Sequence, residues 1–311
     1  MKISVQTGGA CDKIGIDAGM KAIKDAGFEA IDFGGLCGHY PWGDAQEEKP
    51  CVFFDDEEQV SALMKEYKEA ADKYGIEFGQ FHAPHPSYYP RKPMATKIQQ
   101  DTIRKSIKAC GEVGCRYIII HPCFDGSTRF PSLTKEEEYQ LNIEFYSSLI
   151  PLLKEHNVIC CLENMWSQDW KSKKIYTASC SDMSEACRYI DELNAIAGEK
   201  RFAFCLDVGH LLLLGIDPCN AIEMLGDRLE TLHIHDNDGI DDGHTAPFLG
   251  VCNWNRFIKG LRAIGYKGNL NFETDGFNSK FPLELVPDAL KLLGATAGYL
   301  RDKVQAEDVK N

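Results

Sequence analysis

Residues 202–235, FAFCLDVGHLLLLGIDPCNAIEMLGDRLETLHIH, hold the pattern that decides the fold. An apolar run, Phe202 to Asp207, ends on an acid and is followed by a stretch with apolar residues three and four apart. A second apolar run then begins, Thr231 to His235, and ends on histidine. Short β-rich runs with helix-period segments between them are the signature of parallel strands joined by helical crossovers. The same alternation runs outward in both directions. Strands are expected at Ile3 to Thr7, Ala30 to Phe33, Glu77 to His82, Tyr117 to His121 and Val158 to Glu163 upstream, and at Leu270 to Glu273 downstream. Helical patterns such as DEEQVSALMKEYKEAADKYG and TKEEEYQLNIEFYSSLIPLLKEH lie between them, most opened by Ser, Thr or Asp and several closed by Gly.

Eight such units in 311 residues, with no glycine-rich dinucleotide fingerprint and no clear linker, predict an α/β fold: a single (β/α)8 barrel spanning residues 1–311. The long segments 34–51, 83–92, 122–132, 164–180 and 236–253 all follow strands, which places them on the C-terminal face, where barrels of this kind carry chemistry.

Composition narrows the partners. Apolar residues make up 44% of the chain and charged ones 26%, the balance of a globular protein and not of a disordered or collagenous one. With 47 acidic against 34 basic residues the formal charge is -13, which repels nucleic acid and anionic membrane and favours a small partner. The 13 cysteines include no CxxC, and no run is long enough for a signal peptide or a membrane span. A cytosolic protein with reduced thiols is the expectation, with most cysteines serving as small core residues.

Seven histidines, His82, His85, His121, His210, His233, His235 and His244, fall at expected strand ends or just after them. The same edge carries Glu163, Asp207, Asp242 and Glu273. A strand points alternate side chains to one face, so terminal residues of separate strands converge on the barrel mouth. Imidazoles and carboxylates gathered there are the donor set of a divalent ion, Mn, Co, Mg or Zn. Taken alone, His85 reads as a loop residue packed against Tyr88 and Tyr89.

The segments FHAP, IIHP, LEN, LDVGH, LHIHDND, DDGH and NFETD, from His82 to Glu273, resemble the xylose isomerase-like barrel superfamily. That group includes sugar and sugar-phosphate isomerases and epimerases, inosose dehydratases and the endonuclease IV enzymes. In the isomerase branch the resemblance implies one divalent ion held by Glu163, Asp207, His233 and Glu273; His233 is preferred over His235 through the H-x-x-D spacing to Asp236. It implies Glu163 and Glu273 as the proton-transferring pair and His210 as donor to the developing oxyanion. The nuclease branch holds three zinc ions, and its extra ligands resemble His82, His121, His210, Asp242 and His244.

Loop charge separates the branches. The segment 236–250 has no basic residue, 34–50 is acidic, and only KSKK at 171–174 and RKP at 91–93 are basic clusters near the mouth. A duplex-gripping enzyme needs more phosphate contacts than that. The expected activity is therefore metal-dependent isomerisation or epimerisation of a sugar or sugar phosphate, with no nucleic acid or membrane partner and with a homo-oligomer possible. Alternatives are the nuclease, a keto-sugar dehydratase or carbon–carbon lyase, and an inactive sugar-binding barrel. Trp166, Trp170, Phe124 and Tyr40 are candidates to wall the sugar. An Arg that free-sugar 3-epimerases carry shortly after the strand-seven His is missing here, and no phosphate cradle is evident.

Overall fold

The computed structural model describes residues 1–40, 42–126 and 131–306. Arg129, the one basic residue of the segment 122–132, lies outside them.

Eight parallel strands form the barrel: β1 (Ile3–Gln6), β2 (Ala30–Phe33), β3 (Glu77–His82), β4 (Tyr117–Ile119), β5 (Ile159–Glu163), β6 (Phe202–Asp207), β7 (Leu229–His233) and β8 (Leu270–Phe272). From β1 to β7 each pairs with the next in sequence order, and β8 pairs with β1. The ring closes between β7 and β8 through a bridge from Ile234 to Phe272, where Ile234 N–H donates to Asn271 C=O at 2.8 Å. The expected strands are all present, three with their predicted bounds. The fourth and seventh stop two residues early, so His121 and His235 stand just beyond strand ends.

The helices form where capping and periodicity place them. Asp56 accepts from Glu58 and Gln59 N–H at the start of Glu57–Tyr74, and Gly75 ends that helix at φ 62°. Such a cap stabilises a helix by about 1 kcal/mol. Thr134 and Glu137 form a capping box for Lys135–Ser147. The predicted helix continues as a separate one at Ile150–Glu155, because Pro151 has no N–H to give to the helix before it and suits a first turn.

Side-chain alternation builds two apolar compartments. Ile118, Cys160, Leu162, Phe202, Phe204 and Leu206 pack outward with the helices, while Ile119, Ile159, Cys161, Ala203 and Cys205 fill the interior of the barrel. All 13 cysteines are free thiols, and most are buried. Inward parity on β5 runs Ile159, Cys161, Glu163, and on β6 Ala203, Cys205, Asp207. The interior thus turns from apolar to charged toward the C-terminal ends of the strands. No helix among the described residues is long and apolar enough to cross a membrane.

Candidate metal centre

Glu163, Asp207, His233 and Glu273 each present a ligand atom within 4.8 Å of the others, and all four side chains are buried. Each ends or directly follows a different strand, and each has inward parity. His233 Nδ1 lies 2.9 Å from Glu163 Oε1, 3.3 Å from Glu273 Oε2 and 3.9 Å from Asp207 Oδ2. Three carboxylates buried this closely repel one another unless a cation sits among them. No lysine or arginine contacts them among the described residues, so imidazoles are their only cationic neighbours.

The other histidines surround this tetrad. His82, His121 and Glu163 form a second group of converging donors, and His235, His244 and Glu273 a third. His121 Nε2 is 3.1 Å from Glu163 Oε2. His82 Nδ1 lies 2.8 Å from Ala83 C=O, an N–H donation that leaves Nε2 facing Glu163 at 3.8 Å. His235 Nε2 is 3.1 Å from both oxygens of Asp207, and its ring stacks on His244 with centroids 4.0 Å apart. The structure therefore brings both His233 and His235 to the site, at different depths: His233 inside the strand layer and His235 above it.

His210 follows Asp207 by three residues because Asp207 caps the short helix Val208–Leu213, accepting from His210 N–H at 2.7 Å. His210 Nδ1–H donates to Asn164 C=O at 2.7 Å, and Nε2 faces Asp242 Oδ2 at 3.2 Å. Asp242 also accepts from Trp166 Nε1 at 3.2 Å and lies 3.4 Å from His244 Nε2. Every candidate metal-ligating or proton-transferring residue read from the sequence is thus in one cluster.

Asp242 and His244 reach it on a loop with no regular structure, and Asp236 shapes that loop. Its carboxylate accepts from the N–H groups of Asn237, Phe248 and Cys252 and from Trp254 Nε1, at 3.0 to 3.1 Å. The second member of the H-x-x-D spacing is accordingly a loop organiser.

Sequence reasoning set His85 apart as a loop residue against tyrosines. Its ring in fact lies 4.7 Å from that of His121 and 5.4 Å from that of His82, at the edge of the second donor group. The sequence also gave no warning that segment 164–180 contains an antiparallel hairpin, Trp166–Gln168 with Ile175–Thr177. The basic KSKK lies in its turn, with Lys171 over the Trp170 ring and Lys174 over Tyr176. Of the four aromatics, Trp166 touches the cluster, Trp170 is 70% exposed, Phe124 is half-buried, and Tyr40 is buried with its hydroxyl donating to Lys49 C=O. Tyr40 is thus a core residue.

Charge in the cluster is strongly redistributed. Burial opposes ionisation of Glu163, but His233 and His121 outweigh it and hold its carboxyl well below the usual range. Glu273 goes the other way: burial, reinforced by Asp207 and Glu163, pushes it up against the pull of His233 and His244. Burial disfavours the charged forms of His210 and His244 as well. Asp207 and Asp242 nevertheless raise His210 to about 10, and Glu273 and Asp242 raise His244 to about 11.

These last shifts give a pH prediction. Both folded values exceed the ordinary 6.5, so their stabilisation is complete below pH 6.5 and is lost as pH rises toward 10 and 11. The metal-free protein should show a thermal midpoint that falls from pH 7 to 11 by calorimetry in EDTA. A midpoint that stays flat or rises over that window would show that these imidazoles are not held protonated.

A family model described as xylose isomerase-like TIM barrel matches residues 20–301. The chain belongs to that family. Within the xylose isomerase-like barrels, this chain is 43% identical over 70 residues to the uncharacterized protein y4fM of Sinorhizobium fredii, a match covering 22% of each chain. It is 25% identical over 164 residues to a probable endonuclease 4 of Mesomycoplasma hyopneumoniae, covering 50% of this chain and 52% of that one. The chain thus spans about a fifth and about half of these relatives. A crystal structure of a D-tagatose 3-epimerase-like protein superposes with a TM-score of 0.68 at 19% identity, covering 98% of this chain and 100% of that one, a likeness of fold.

Proposed function

We propose that the chain is a divalent-metal-dependent isomerase or epimerase of a sugar or sugar phosphate, acting by proton abstraction beside a carbonyl through an enediolate. The observation that carries this reading is the convergence of Glu163, Asp207, His233 and Glu273 within 4.8 Å. Those four residues would hold the ion, and their three carboxylates fit a hard or borderline divalent cation. Such an ion polarises a carbonyl and acidifies the adjacent C–H.

The chain's own residues supply the remaining steps. Glu163 is the base that takes the proton, and Glu273 returns one. His210 is held by Asn164 C=O through Nδ1 while its Nε2 faces Asp242, and on substrate binding that Nε2–H would turn to the oxygen on which charge develops. Trp166, fixed by Asp242, gives the substrate an apolar wall. The fold-level likeness to a D-tagatose 3-epimerase-like protein supports the sugar class.

The test is deuterium uptake from heavy water into a panel of ketoses, aldoses and their phosphates, with Mn2+, Co2+, Mg2+ or Zn2+ supplied. Metal-dependent exchange of a C–H beside the carbonyl is expected. Absence of exchange across the panel, together with incision of abasic DNA, would overturn the proposal.

A second reading is favoured by one observation. Besides the tetrad, His82–His121–Glu163 and His235–His244–Glu273 converge, and Asp242 lies between His210 and His244, so the cluster has donors for three ions. With the match to a probable endonuclease 4, this supports a zinc-dependent nuclease of abasic sites. Metal analysis separates the two: one ion per chain supports the isomerase, and three zinc ions support the nuclease.

A further inference from the structure

The eight barrel strands hold one buried carboxylate that the chemistry above does not use. Asp32 lies on β2 with inward parity and has no exposed surface. Its Oδ2 accepts from Gln80 Nε2 at 3.1 Å and from Asn271 Nδ2 at 2.9 Å, and it lies 3.2 Å from His233 Nε2. Strands β2, β3, β7 and β8 thus each give one side chain to a polar platform directly beneath the tetrad. Gln80 is 2% exposed and the other three not at all. No lysine or arginine contacts Asp32 among the described residues. Burying a carboxylate is costly. Elsewhere the interior is filled by Ile119, Ile159, Cys161, Ala203 and Cys205, so packing alone gives no reason for an acid here.

We propose that Asp32 is a positioning residue for the metal centre: it holds His233 with Nε2–H directed down to its own carboxylate, leaving the Nδ1 lone pair to face Glu163, Asp207 and Glu273. This rests on the reading of His233 as a metal ligand. A neutral imidazole has one donor nitrogen and one acceptor nitrogen, so the partner of one fixes the role of the other. Nε2 has a carboxylate as its neighbour from below, while Nδ1 sits among the three tetrad carboxylates. Histidines that ligate metals commonly donate their second N–H to a carboxylate, which orients the ring and strengthens the ligand. Gln80 and Asn271 in turn orient Asp32, and Gln80 Nε2 also reaches Leu232 C=O at 3.4 Å, next to His233 in the chain.

The experiment has two arms on the full chain. In the Zn2+-loaded wild type, long-range proton–nitrogen NMR correlation of the imidazoles should show His233 protonated at Nε2 and metal-bound at Nδ1. The reverse assignment overturns the proposal without touching the metal reading, whereas a His233 not bound to the ion overturns both the proposal and the place of His233 among the ligands. Asp32→Asn keeps the shape and removes the charge. Chelator competition should show Co2+ affinity reduced about 10- to 100-fold, with a shifted visible absorption of the bound Co2+. Co2+ affinity and spectrum both equal to the wild type would overturn it. If the wild type binds no divalent ion at all, the metal reading falls and this inference falls with it. The NMR arm needs no variant, so a poorly folded Asp32→Asn leaves the decision intact.

Discussion

Glu163→Gln and Glu273→Gln should each slow the interconversion of substrate epimers by about 100- to 10,000-fold, the usual range for loss of a positioned acid or base. They should differ in what survives. Glu163 is the proposed base and Glu273 the proposed group that returns the proton. With Glu273 replaced, Glu163 still removes a proton and returns a solvent-derived one to the same face. Deuterium exchange into one epimer should therefore outpace inversion in Glu273→Gln. In Glu163→Gln that exchange should be lost with inversion, because no ionised base remains on that face. Mass spectrometry of substrate recovered from heavy water, beside chiral product analysis, separates the two rates. Equal exchange in both variants would mean that the two carboxylates do not divide the proton transfer. Both glutamates are also proposed ligands, so the assay needs metal in excess of the weakened affinity.

Strand parity explains which parts of the site are legible in the chain. In VICCLEN and FAFCLDVGH, small and apolar residues at alternate positions give way to an acid with the same parity. That alone aims Glu163 and Asp207 inward, where the structure has them. The seventh strand is harder to delimit, because Leu229–His233 begins with LET, whose Glu230 accepts from the Tyr117 hydroxyl at 3.0 Å instead of packing as an apolar strand residue would. Asp242 and His244 have no periodicity behind them. Their path is set by hydrogen bonds to Asp236 from residues up to 18 positions away, a contact set that local pattern does not encode; what pointed to them was their place after an expected strand and the likeness of DDGH to a known motif. Asp32 was invisible for a related reason. A single acid in AIDF gives no signal until the fold sets it beside Gln80, Asn271 and His233, which are 48, 239 and 201 residues away.

Gly209→Ala should cripple the site without touching a proposed ligand. A Cβ at Gly209 would lie 1.9 Å from His235 Cε1 and within 2.5 Å of both ring nitrogens, so the ring or the helix start must move. Neither moves freely. His235 contacts Asp207 through Nε2 and stacks on His244, while Gly209 C=O accepts from Asn237 Nδ2 at 2.9 Å in the turn that Asp207 caps. Overpacking at a site this tight costs about 1–3 kcal/mol of stability. Displacing His235 also removes a contact that holds Asp207 in place, so affinity for the divalent ion should fall by about 10- to 100-fold. The control is Gly298→Ala, in the helix Val286–Gln305, where an added Cβ has no atom within 4 Å. That change should be neutral or stabilise by up to about 1 kcal/mol, since alanine is the better helix former. Thermal unfolding with and without metal measures both effects. A Gly209→Ala protein as stable and as metal-responsive as the control would mean that His235 has room to turn aside, and that its contact with Asp207 is dispensable to the centre.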